Sequence, residues 1–102
     1  RPVDAPRSFE EMHELISEIL NKRLFLAIDV PLSSVIVERR ALVISTPNYL
    51  LGVLFNRNRF DLVNINNMEQ SYTYALTDEI HISLNIAYYG ARLFIGIPPF
   101  YA

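Results

Sequence analysis

Large apolar residues occupy every second position of the run Ile80-His81-Ile82-Ser83-Leu84-Asn85-Ile86-Ala87-Tyr88. A period of two is the signature of a β-strand with one face on a core. The alternate positions His81, Ser83, Asn85 and Ala87 carry no formal charge, and no ionised side chain lies between Glu79 and Arg92. A strand facing only water usually carries Lys or Glu. This run therefore constrains the chain to a sheet, and its uncharged second face points to a surface covered by a partner.

The N-terminal part has the other period. Ser8-Phe9-Glu10-Glu11 forms a capping box, in which the Ser8 hydroxyl accepts from the Glu11 N–H and the Glu11 carboxylate reaches back to the Ser8 N–H. Phe9, Met12, Ile16, Ile19 and Leu20 follow at helical spacing, with Glu10, Glu14 and Glu18 on the opposite face. The spacing predicts an amphipathic helix over 9–23. Residues 1–7, with Pro2 and Pro6, read as an extended arm.

Beyond the helix, 24–28 fits either its extension or a strand, and Asp29, Pro31 and Ser33-Ser34 mark a loop. The stretches 35–37 and 41–44 are rich in β-branched residues and read as strands. Tyr49 to Phe55 is a continuous apolar run that fits a buried strand or a short helix. Asn56-Arg57-Asn58-Arg59 is a polar hairpin tip. Residues 60–65 and the alternating Tyr72, Tyr74 and Leu76 read as further strands, and Gly90 ends the strand that opens at Ile80. From Leu93 onward the chain is an apolar tail, which Pro98 and Pro99 bar from a central strand. The expected architecture is α+β: one N-terminal amphipathic helix packed on an antiparallel sheet of four to five strands. Its organisation is an arm over 1–7, one domain over 8–92 and a tail over 93–102.

Composition narrows the function classes. The 102 residues suffice for one small core, and 51% of them are hydrophobic against 20% charged, which excludes a largely disordered chain. A net charge of −2 gives no overall basic field and argues against nucleic acid as the main partner. There is no cysteine, so thiolate chemistry, disulfides and Cys-ligated zinc are excluded. That composition fits a virion or cytoplasmic protein, and no apolar stretch approaches the roughly 20 residues of a membrane helix.

Chemistry-bearing constellations are sparse. His13 and His81 are the only histidines and show no metal-ligand spacing. Each reads as a surface histidine, although a small hydrolase or metal enzyme would have to be built around one of them. Glu10, Glu14 and Glu18 read as a solvated face, and Gly52, Gly90 and Gly96 are too isolated to form a phosphate loop. The reading is therefore a protein that is not an enzyme, with no cofactor, metal or catalytic residue.

The interaction signals are stronger. Arg57 and Arg59 at the hairpin tip can meet acidic residues of another subunit. With Tyr49, Phe60, Tyr72 and Tyr74, and with Arg39-Arg40 added, they could instead form a nucleic-acid platform. The tail from Leu93 to Tyr101 either covers its own core or is an apolar patch for a neighbour. The candidate interface residues are Arg57, Arg59, His81, Asn85, Phe94, Phe100 and Tyr101.

One ordering of elements resembles a family. An amphipathic helix, a proline-containing loop, Pro47-Asn48-Tyr49 before an apolar strand, a polar-tipped hairpin and a late strand ending in Tyr89-Gly90-Ala91 together resemble the neck and tail-terminator proteins of tailed bacteriophages. The resemblance covers residues from about 9 to 91. It departs from the family pattern after Gly90, where Ile95-Gly96-Ile97-Pro98-Pro99 stands in place of a second helix. It implies a helix-plus-sheet subunit that assembles as a ring at the head–tail junction. The function expected is thus structural: a homo-oligomer acting by self-association, a ring or shell subunit of a phage particle with other structural proteins of the same assembly as further partners. The alternative is a small monomeric module that binds a peptide or nucleic acid through the Arg57/Arg59 loop.

Overall fold

A computed structural model describes residues 2–31, 35–87 and 90–100. Its one helix, α1 (Phe9–Asn21), is preceded by a short strand β1 (Val3–Asp4). The remaining strands are β2 (Phe25–Pro31), β3 (Val35–Glu38), β4 (Ala41–Ser45), β5 (Leu50–Asn56), β6 (Arg59–Asn64), β7 (Ser71–Ala75), β8 (His81–Ala87) and β9 (Gly90–Gly96). They divide into a four-stranded sheet of order β1-β2-β9-β8 and a five-stranded meander of order β3-β4-β5-β6-β7. Every pairing is antiparallel except the short β1·β2 contact. The α+β class holds, with the N-terminal helix packed against β2 and β9 of the four-stranded sheet.

The helix starts and stops for local reasons. The Ser8 hydroxyl accepts from the Glu11 N–H, 3.1 Å away, and Ser8 is extended at φ −133° and ψ 156°. The Glu11 carboxylate reaches back one residue further than expected, to the N–H of Arg7. At the other end Arg23 adopts φ +56°. Its N–H donates to Leu20 O, and that of Leu24 donates to Ile19 O. These two bonds form a Schellman motif, whose left-handed residue is usually glycine and here is arginine. The helix therefore ends before Leu24, and the ambiguous stretch 24–28 is strand.

Several assignments change. Asp29 and Pro31 lie within β2, not in a loop; Ser33 and Ser34 fall outside the described residues. The segment 93–96 is not a tail. It belongs to β9, which is hydrogen-bonded to β2 on one side and β8 on the other, with Leu93 and Ile95 almost fully buried. The two prolines that argued against a central strand come after its last residue. Gly90 likewise opens β9 instead of ending β8. The N-terminal arm is also tied down, because Val3 and Asp4 pair with Ile28 and Asp29.

One core joins both sheets and the helix. Phe9, Met12 and Ile16 of α1 meet Ile28, Leu93 and Ile95 of one sheet and Leu51, Phe60 and Leu62 of the other. All are buried, and each large apolar side chain so placed contributes about 1.5–3 kcal/mol relative to exposure. On β7 the alternation puts Tyr72 and Tyr74 against this core while Ser71, Thr73 and Ala75 face out.

Candidate functional site

Strand register decides which side chains share the outer face of the four-stranded sheet. Successive residues alternate sides, so Leu26, Ile95 and Ile82 form one inward row, and Ile28, Leu93 and Leu84 form the next. The outward rows are Phe25–Gly96–His81, Ala27–Phe94–Ser83 and Asp29–Arg92–Asn85. Four of the candidate interface residues thus meet on this side of the molecule: His81, Asn85 and Phe94 on the strands, and Phe100 stacked on Phe94 with ring centroids 5.4 Å apart. Phe100 also meets Phe25 edge-on at 6.1 Å. The end of the tail therefore folds onto its own sheet as far as Phe100. Tyr101, the remaining tail candidate, lies outside the described residues.

The face carries little net charge. Arg92 Nε donates to Asp29 Oδ1 across the β2·β9 pair at 2.8 Å, and both side chains are partly buried. These two residues were not anticipated as part of the surface; 63 positions apart, they carry no local sequence signal of pairing. His81 is exposed, and its Nε2–H donates to the Asp78 carbonyl at 3.0 Å.

The outer edge of this sheet is open. Among the described residues β8 is its terminal strand and pairs with β9 alone. Ala87 opposes Gly90 with two residues between them, so those two form a hydrogen-bonded pair. By alternation the backbone groups of Ile82, Leu84 and Ile86 then point away from β9. Ile86 is 56% exposed. β3, the terminal strand of the other sheet, also exposes both Ile36 and Val37. Neither strand carries the lysines, or the inward-pointing charges, that usually protect an edge.

Arg57 and Arg59 flank the tip of the β5–β6 hairpin, both exposed. Arg57 and His81 line one open groove of about 480 Å³ with Asn58, Thr77 and Asp78. The aromatic residues read as a stacking platform beside the arginines are used elsewhere. Tyr49 and Phe60 are buried, and Tyr72 and Tyr74 face α1. Burial pushes the Tyr49 hydroxyl up to about 12.

The largest departure from expectation is His13. It is half-buried, not a free surface residue, and stacks on Tyr72 while its Nδ1 meets the Tyr74 hydroxyl. The Tyr74 hydroxyl also meets Ser17 Oγ at 2.9 Å, and the Tyr72 hydroxyl donates to Glu10. Burial raises the Tyr74 hydroxyl, and the hydrogen bond to Glu10 raises that of Tyr72. His13 and Ser17 are one helical turn apart, where the apolar stripe borders the acidic face. That position is the only sequence hint of a contact made 61 residues away. The cluster ties α1 to β7. Its Ser–His pair is 3.4 Å apart and leaves Nδ1 shared with a tyrosine, so the histidine is not directed at the serine as a base.

Among the described residues no three His, Asp or Glu side chains stand close enough to hold a metal ion, and no helix is long and apolar enough to cross a membrane. Comparison of the chain with protein-family models, with curated proteins and with solved structures finds no match.

Proposed function

We propose that this protein is a structural subunit that acts by self-association, as a ring or shell component of a phage particle, and that its place is the virion. The observation that carries the reading is the edge of β8, unpaired among the described residues: seven residues with no Asp, Glu, Lys or Arg, with Ile86 exposed and backbone groups directed away from β9. Such an edge adds a strand from another chain readily. The outer face beside it, with Phe25, Phe94 and Phe100 and a neutralised Asp29–Arg92 pair, extends the contact without a charge to desolvate. The resemblance to neck and tail-terminator proteins is independent support for assembly. The rings expected of a nucleic-acid platform face the core and helix, which weighs against the binding-module alternative.

The test is solution mass by light scattering over a concentration series. Truncation at Leu93 is unsuitable, because it removes two core residues of β9. Ser83→Lys with Ile86→Lys places charge on the edge and spares the core. The wild-type chain is expected as a defined oligomer, and the double variant as an 11.8 kDa monomer with its circular dichroism retained. A wild-type chain that stays monomeric throughout the series overturns the proposal.

A further inference from the structure

The β3–β4 and β5–β6 turns lie side by side. Ala41 pairs with Leu54, and the Phe55 N–H donates to the Arg40 carbonyl at 2.8 Å. This register brings Arg39 and Arg40 to the same end of the five-stranded sheet as Arg57 and Arg59. All four are exposed. Elsewhere Lys22, Arg23 and Arg92 are each ion-paired within the chain, and among the described residues Arg7 is not. Among the described residues none of the four turn arginines is. Glu38 precedes them and Asp78 shares the groove with Arg57, yet neither forms an ion pair. A chain of net charge −2 thus concentrates four unpaired guanidinium groups at one end.

The backbone accentuates the choice. Arg57 holds φ +56° at the first central position of a two-residue hairpin turn, where glycine is the unstrained residue.

We infer that this arginine end binds the acidic face of α1 in a second copy of the chain. The inference rests on the self-association reading and specifies a contact for it. Glu11, Glu14 and Glu18 share one face of the helix, and all are exposed. Glu14 makes no hydrogen bond or ion pair among the described residues, and Glu18 meets only the exposed Lys22. The dimensions agree. Seven residues of helix separate Glu11 from Glu18 by about 10 Å, and two strand spacings, β4 to β6, separate the arginine pairs by about 10 Å. The basic end and the acidic helix are different patches of one chain. Each subunit gives one patch and receives the other, either reciprocally across a two-fold axis or in succession around a ring or along a filament.

Charge reversal in two complementary variants tests this. One carries Arg39→Glu, Arg57→Gly and Arg59→Glu; the glycine removes a guanidinium while relaxing the turn, so the fold is retained. The other carries Glu14→Arg and Glu18→Arg. Thermal unfolding confirms that both fold. Each alone is expected to have its association weakened about tenfold or more, and an equal mixture to recover the wild-type mass, since the acidic turn end of the first variant then meets the basic helix of the second while their unaltered patches meet each other. The wild-type assembly is expected to loosen with added salt. If the wild type assembles and both variants keep its mass, this contact is wrong and the self-association reading stands. If the wild type is monomeric, both fail. If an oligonucleotide probe binds the wild type and not the arginine variant, while assembly is unchanged, the arginine end serves a nucleic acid and the inference is overturned.

Discussion

His13 lies flat on Tyr72, the ring centroids 3.5 Å apart and the planes 8° from parallel. The pair joins the second turn of α1 to the outermost strand of the five-stranded sheet, whereas the helix backbone runs against the other sheet. Phe9 adds a second ring to the same tyrosine at 5.9 Å. The helix thus closes the gap between two sheets that share no strand.

That position makes His13→Ala costly for a residue outside the core proper. The variant is expected to lose about 1–2 kcal/mol, from the stacking and from the bond it makes to Tyr74. Urea unfolding of His13→Ala, Tyr72→Leu and the double variant measures the stacking directly, with a coupling of about 0.5–1.5 kcal/mol expected. Additive losses would show that the two rings merely neighbour each other.

Gly96 ends β9 at φ +129°, a backbone conformation that side chains rarely adopt. A Cβ there would overlap the Leu24 carbonyl oxygen and stand 2.6 Å from Phe25 Cα, both main-chain atoms that cannot rotate away. Gly96→Ala is therefore expected to cost about 3 kcal/mol or more, seen as a large fall in Tm. Gly52→Ala is the contrast. Its Cβ would meet Ile65 Cδ1 at 2.7 Å, the far end of a flexible side chain, so a smaller loss is expected. Equal losses in the two variants would contradict this distinction.

These residues show why the sequence was legible in some places and not in others. The helix, the β5–β6 turn and the alternation from His81 to Ile86 depend on neighbours within a few positions, and local spacing reveals them. The run from Leu93 to Ile97 was misjudged because its apolar continuity is the mark of a strand paired on both sides, while the prolines just beyond it suggested an edge. Gly96 looked like an isolated glycine, since the atoms that forbid a Cβ belong to Leu24 and Phe25. In the sequence His81, Asn85, Phe94 and Phe100 are separate signals; only the β8·β9·β2 register puts them on one face. Arg92 with Asp29, and His13 with Tyr72, are contacts across roughly sixty residues and follow from topology alone.

Tyr49 gives the fold a defined weakness in alkali. Its hydroxyl is buried without a hydrogen-bond partner among the described residues, and its ionisation is pushed up to about 12 by burial. In the unfolded chain a tyrosine loses its proton near pH 10. Between these values the unfolded state binds fewer protons than the folded one, so stability is at its full value below pH 10 and falls as pH rises toward 12. Tyr72 and Tyr74, also raised, act in the same direction. Tyr49→Phe removes both the unpartnered hydroxyl and its titration. At neutral pH it is expected to unfold at the same or a slightly higher urea concentration, because a buried hydroxyl without a partner costs about 1–3 kcal/mol. Above pH 10 its advantage over the wild type should widen. Urea midpoints for both proteins at neutral pH and at successive steps above pH 10 measure this. A constant difference across that range would mean that Tyr49 ionises as readily in the folded protein as in the unfolded chain.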